Sequence, residues 1–143
     1  MLCLDVNVLV CAHRADLPDN ERYGPLLETW ANGSEPLGLP GIVLSGFLRI
    51  VTNRRVFAEP TSPADAWEYV DRLLVTPAAV RLRASERHWA HVRTLAHDID
   101  ARGPDIADAY LAAYALDNNA TFVSADRRFA RFSHLKWRHP LDA

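Results

Sequence analysis

Residues 104–124 read Pro-Asp-Ile-Ala-Asp-Ala-Tyr-Leu-Ala-Ala-Tyr-Ala-Leu-Asp-Asn-Asn-Ala-Thr-Phe-Val-Ser, and they decide the fold. From Ile106 on, alanine, leucine and tyrosine make a helix built to be buried, over Pro104–Asn118. Asn118-Asn119 stops it, and Thr121–Ser124 follows as a β-branched strand with no polar face until its end. A buried helix that returns at once into an all-apolar strand belongs to a parallel sheet covered on both faces. Two carboxylates, Asp105 and Asp108, sit three residues apart at the start of this helix. Acids at the start of an apolar helix need a reason.

Working outward, the same alternation recurs. Leu2–Leu4 reads as a short buried strand and Val6–Ala12 as the first helix. Asp19–Ala31 has helical spacing and ends at Asn32-Gly33. Leu37–Leu39 is a second short strand, and Pro40 opens a helix to about Val51. Ser62 caps a helix running from Pro63 to about Leu74, with acid in its first turn. Val80–Leu82 is a strand, and Ser85–Asp98 a helix with Trp89, Val92 and Leu95–Ala96 facing inward. A weak last strand is expected near Leu135–Trp137. The 143 residues suit one domain, 1–143, with a real core.

Composition narrows the function classes. The chain is 49% hydrophobic and 24% charged, an ordinary globular balance. Its apolar runs fall well short of the roughly 18 residues of a membrane span. The start, Met-Leu-Cys-Leu-Asp, lacks the basic segment of a secretory signal. Cys3 and Cys11 form no paired motif and read as buried free thiols, which predicts a cytoplasmic protein. A net charge of −2 argues against general polyanion binding, so any nucleic-acid role needs a local patch. Asp126 to His139 supplies one: Arg127, Arg128, Arg131, Lys136 and Arg138 against a single acid. Such a patch is suited to an RNA backbone, and equally to a plain solvated face. His88 and His91, at i and i+3, lack a third ligand and read as an exposed helix face. Trp30, Trp67 and Trp89 read as core or interface residues.

In parallel sheets ligands bind beyond the carboxyl ends of the strands. Asp5 follows the first strand directly, and Asp126 follows the 121–124 strand by two residues. Asp108 opens the helix that returns into that strand. Asp108 is also explicable as a first-turn acid favoured by the helix dipole, and Asp126 as a turn residue. Asp5 is harder to explain so, because it interrupts the apolar run Leu4-Asp-Val-Asn-Val-Leu-Val. A buried charge needs partners or a metal. Three carboxylates at one pocket repel unless a cation neutralises them, and oxygen-only ligands suit Mg²⁺ or Mn²⁺. Such a set fits metal-assisted attack of water on a phosphodiester. Asn7 and Ser124 lie two residues from Asp5 and Asp126, suited to orienting a carboxylate or to ordinary capping.

Three blocks together resemble a known family: "MLCLDVNVLVCAHR" at 1–14, "LSGFLRIVTNRRVF" at 44–57 and "DAYLAAYALDNNATFVSADRRFARF" at 108–132. They are similar to PIN-domain ribonucleases, and most of all to the VapC-like toxins of type II toxin–antitoxin systems. The resemblance implies an α/β/α sandwich around a mainly parallel sheet. It implies a Mg²⁺- or Mn²⁺-dependent endoribonuclease acting on structured RNA such as tRNA or rRNA. It also implies a VapB-like antitoxin and a homodimer. By position, Asp5, Asp108 and Asp126 match the family's metal-binding acids, and Asn7 and Ser124 its polar companions. One position departs: Ser45-Gly-Phe-Leu-Arg49 carries Gly46 where many members have Glu. Asp105 is a candidate substitute, at i−3 from Asp108, or else a helix-start acid. Gly46 also leaves open a catalytically impaired module that binds RNA or antitoxin without cutting. A haloacid-dehalogenase reading of Leu4-Asp-Val-Asn-Val lacks the second Asp and a suitably placed lysine; the chain has only Lys136.

Overall fold

Successive residues of each strand serve two different helical layers. The computed structural model describes residues 1–142. Strand β1 (Leu2–Leu4) leads into α1 (Val6–His13) and α2 (Asn20–Ala31). Then come β2 (Leu37–Pro40), α3 (Gly41–Val51), α4 (Pro63–Leu74) and β3 (Ala79–Leu82). The chain goes on through α5 (His88–Asp98), α6 (Pro104–Asp117) and β4 (Thr121–Val123). A 3₁₀ turn (Arg127–Arg131) and β5 (Trp137–Arg138) follow. The sheet order is β3-β2-β1-β4-β5 and every pairing is parallel.

Because side chains alternate across a sheet, each strand feeds both layers. Leu2, Leu4, Leu37, Leu39 and Val123 pack with α1 to α4 in one core. Cys3, Phe122 and Leu82 pack with α5 and α6 in the other. Each fully buried leucine contributes about 1.5–3 kcal/mol. The expected three-layer α/β/α sandwich with a parallel sheet is the fold found. Helix α6 is sheathed by small residues: Ala109, Ala112, Ala113 and Ala115 are all fully buried. Gly103 sits before it at φ 54°, a left-handed value that glycine adopts without strain.

The connections fix where a site can form. From β1 the chain moves outward through β2 to β3, then crosses back to β4 on the other side of β1. The order therefore reverses between β1 and β4, and the crevice at their carboxyl ends is the switch point of the sheet.

Five expectations need correction. Helix α5 begins at His88 rather than Ser85, because Ser85 turns to cap Asp117, whose carboxylate accepts from both its backbone N–H and its hydroxyl. Trp89 is 63% exposed rather than inward. His88, Val92 and Leu95 take the buried stripe, and Trp89 lies about 100° round the helix from His88. Trp67 on α4 is likewise exposed. His88 is not on an exposed face: its ring packs against Tyr110 and Tyr114, with Nε2 3.0 Å from the Tyr110 carbonyl. The last strand is Trp137–Arg138, where Trp137 Nε1 donates to the Ser124 carbonyl at 3.2 Å.

Gly38 marks the tightest approach in the sheet. A Cβ there would lie 2.6 Å from Leu82 Cδ1 and 3.0 Å from the Leu2 carbonyl oxygen. The leucine tip can swing away, but the strand carbonyl cannot. Gly38→Ala is expected to destabilise the fold by about 1–3 kcal/mol, read as a lower urea midpoint with unchanged slope; an unmoved midpoint would contradict this packing.

Candidate active site

Asp5 is the hinge between β1 and α1. Its backbone N–H donates to the Val123 carbonyl at 3.0 Å, so the last link of the β1–β4 ladder lies at this residue. Its side chain caps α1, accepting from the Val6 N–H at 2.6 Å through Oδ1. Oδ2 accepts from the Ser124 hydroxyl at 2.6 Å and from Asn7 Nδ2 at 3.0 Å. The residue is 5% exposed. Burial pushes its carboxyl above the ordinary 3.8, the Ser124 and Val6 hydrogen bonds oppose this, and the charges of Asp126 and Asp108 add to the rise.

Ser124, fully buried, is the knot of the network. While its hydroxyl donates to Asp5, it accepts from Asn7 Nδ2 and from the Asp126 N–H, both at 3.0 Å. Asn7 Oδ1 closes the circuit by accepting from the Ala125 N–H at 3.1 Å. Asp5, Asn7, Ser124 and Asp126 thus form one hydrogen-bonded unit across the β1–β4 switch point. Among the described residues no buried side-chain polar atom lacks a partner.

Asp126 faces an arginine. Arg128 Nε lies 3.1 Å from both carboxylate oxygens and Nη2 lies 2.7 Å from Oδ2. This guanidinium holds the Asp126 carboxyl below its ordinary value. Asp108 lies one turn into α6. Burial raises its carboxyl, against the nearby charges of Arg131 and Arg128 and with those of Asp126 and Asp105. Arg131 Nη2 spans two acids, 3.0 Å from Asp108 Oδ2 and 3.1 Å from Asp105 Oδ1. Asp105 Oδ2 accepts from the Arg102 N–H at 3.2 Å. All the predicted acids gather at one end of the sheet, Asp5 and Asp126 through hydrogen bonds and Asp108 across a shared electrostatic field.

The donor chemistry of Asp5, Asp108 and Asp126 suits a hard divalent cation: three carboxylates, two with affinity for protons raised by burial, to which the neighbouring carboxylate charges add. As placed, no three His, Cys, Asp or Glu side chains among the described residues converge to hold an ion. Arg128 and Arg131 occupy the acids instead.

The family model of the PIN domain matches residues 2–135. The chain belongs to the PIN-domain family. Its sequence is 69% identical over 142 residues to Ribonuclease VapC43 of Mycobacterium tuberculosis, covering 99% of this chain and 97% of that protein. It is 36% identical over 140 residues to Ribonuclease VapC25 of the same organism, covering 98% and 99%. The crystal structure of VapBC2 from Rickettsia felis, bound to a DNA fragment from its promoter, shares the fold at TM-score 0.71 and 19% identity, over 96% of this chain and 97% of that one.

Several surface expectations change in this PIN domain. Arg127, Arg128 and Arg131, read as suited to an RNA backbone or equally to a solvated face, are each paired with a carboxylate, Arg127 with Asp142 at 3.1 Å. Lys136 donates to Asn119, before the start of β4 and so at the end of the sheet away from Asp5. The dehalogenase reading has no lysine where its phosphate would lie. His91 lies 3.9 Å from Asp117 and His88 faces a carbonyl, so the pair shares no metal-like geometry. No helix of the described residues is long and apolar enough to cross a membrane. Sequence reading missed Arg131 as the partner of Asp105 and Asp108, because the pairing joins residues 23 or more apart; the only signal was a cation-rich turn following Asp126.

Ser124→Ala removes a donor to Asp5 and an acceptor for two N–H groups. A loss of about 1–3 kcal/mol is expected at pH 7, with the Asp5 carboxyl moved further up in a ¹³C titration. A raised folded pKa means that the native state holds the proton more tightly than the unfolded chain. The variant's deficit should therefore shrink as pH falls through the Asp5 titration; a deficit constant with pH would contradict the Ser124–Asp5 bond.

Proposed function

We propose that this chain is the toxin of a type II toxin–antitoxin pair, a Mg²⁺- or Mn²⁺-dependent endoribonuclease that cuts structured RNA such as tRNA or rRNA. The observation that carries the reading is the Asp5–Asn7–Ser124–Asp126 network at the sheet's switch point, with Asp108 facing it. The names of its relatives, ribonucleases of the VapC type, support it. Solved toxin–antitoxin complexes of the same fold support a VapB-like antitoxin partner; a homodimeric toxin in the cytoplasm belongs to the same proposal.

In this reading Asp5, Asp108 and Asp126 hold the cation. Bound there, it would supply charge neutralisation at the phosphate and activation of the attacking water. The remaining work belongs to the chain. Ser124 and Asn7 lock the Asp5 carboxylate in one rotamer, so little reorganisation is needed when substrate arrives. The Asp126 N–H bond to Ser124 fixes the turn that carries Asp126. Burial of Asp5 leaves little of its carboxylate open to water.

Gly46 favours a second reading, a PIN domain that binds without cutting. A Cβ at position 46 would sit 3.5 Å from Val6 Cγ2, an ordinary contact beside the residue that follows Asp5. The place is therefore open, and a glutamate there would start alongside the site. Gly46→Glu should fold, with stability equal or greater because glycine inside a helix costs about 0.5–1 kcal/mol, and should bind Mn²⁺ more tightly in calorimetry. A variant that fails to fold would show that Gly46 is needed for packing.

The deciding assay incubates purified, antitoxin-free protein with total cellular RNA in Mg²⁺, in Mn²⁺ and in EDTA. Discrete fragments are expected only with metal. Asp5→Asn and Asp108→Asn should slow cleavage by at least about 100-fold. Intact RNA in both metals would favour the binding module.

A further inference from the structure

Both carboxylate oxygens of Asp105 already have partners within the chain. Its Oδ1 faces Arg131 Nη2 at 3.1 Å and its Oδ2 accepts from the Arg102 N–H at 3.2 Å. The second bond fixes its direction at the start of α6, since Arg102 lies just before that helix. Arg131 differs from its neighbours. It is 30% exposed, against 68% for Arg128 and 63% for Arg127. Its guanidinium lies over the Phe132 ring, 5.2 Å from the centroid, and Phe132 is itself buried. An aromatic floor on one side and Asp105 on another define where this planar cation can go.

Arg131 also touches Asp108, which a cation would need. If it leaves Asp108, it retains Asp105 and the Phe132 ring. It would then stay at the lip of the site with its other N–H groups free. That is the place where an RNA phosphate would meet the acids, and guanidinium is suited to two parallel bonds to a phosphate.

We infer that Asp105 is not a metal ligand but a positioning residue, which parks Arg131 beside the carboxylates so that it grips the scissile phosphate once a cation displaces it from Asp108. This rests on the ribonuclease reading above for the phosphate, but its statement about Asp105 does not. It assigns the acid that the sequence offered as a replacement for the one missing at Gly46 to a different task.

A double-mutant cycle on the full chain tests it. Mn²⁺ binding to RNA-free wild type, Asp105→Asn, Arg131→Ala and the double variant is measured by calorimetry. Single-turnover cleavage of RNA is measured beside it, and circular dichroism confirms folding. Arg131→Ala should bind Mn²⁺ more tightly than wild type, because the competitor for Asp108 is gone, yet cleave at least about tenfold more slowly. In the Arg131→Ala background, Asp105→Asn should change Mn²⁺ affinity by less than about threefold and cleavage hardly at all. A larger loss of affinity in that background would make Asp105 a ligand and overturn the inference. So would an Arg131→Ala protein that cleaves at the wild-type rate. Should Arg131→Ala fold poorly, Arg131→Gln runs the same cycle. If wild type cuts no RNA, the ribonuclease reading fails by itself, and the Mn²⁺ cycle still decides whether Asp105 is a ligand.

Discussion

A single buried carboxylate organises this protein. Asp5 closes the central strand, caps the first helix and ties itself to Ser124, 119 residues away. Removing water from a charge is costly, and the structure answers with three donors at 2.6–3.0 Å. Those donors come from two different places: Val6 and Asn7 in the first turn of α1, and Ser124 at the end of β4. Satisfying one charge therefore fixes the relation between the first helix and the strand beside β1. The parallel ladder, the switch point and the crevice all follow from that register.

The acids beyond Asp5 pose the opposite problem. They are partly solvated and mutually repelling, and the chain sets arginines on them: Arg128 on Asp126, Arg131 on Asp105 and Asp108. Exposed pairs of this type are weak, on the order of 0–1 kcal/mol each. Weakness would suit the proposed metal site, whose acids have to change partners. Asp5 is held by neutral groups in the interior, whereas Asp108 and Asp126 are held by partly exposed arginines.

Much of this was legible in the sequence, for identifiable reasons. Asp5 stood out because a charge broke an apolar run, and the 104–124 stretch announced a helix folding back into a buried strand. Ser124 and Asn7 were visible as companions by spacing alone, although their mutual bond was not. The errors share a cause. Trp89 and His88 are adjacent on one helix, and apolarity alone favoured burying the tryptophan; the tyrosines of α6 instead made a pocket for the histidine. The arginines after Asp126 read as an RNA-facing patch or a solvated face, and their carboxylate partners were not visible, because a long side chain's partner depends on where the chain returns. Asp105 was open to two readings, helix start and metal site, and its contacts include both Arg102 at the helix start and Arg131 within the site.

The β1–β4 pairing also has a consequence in time. Strand β1 is made first, yet one of its two neighbours is residues 121–123. Contacts of such long sequence separation form late and slowly. During synthesis β1 can pair with β2 and the first four helices can gather on their face, but Asp5 has neither Ser124 nor Asp126 beside it. The site cannot exist on a growing chain until residue 126 has cleared the ribosome. Whatever chemistry it performs, the cell that makes it is not exposed to that chemistry by half-finished copies.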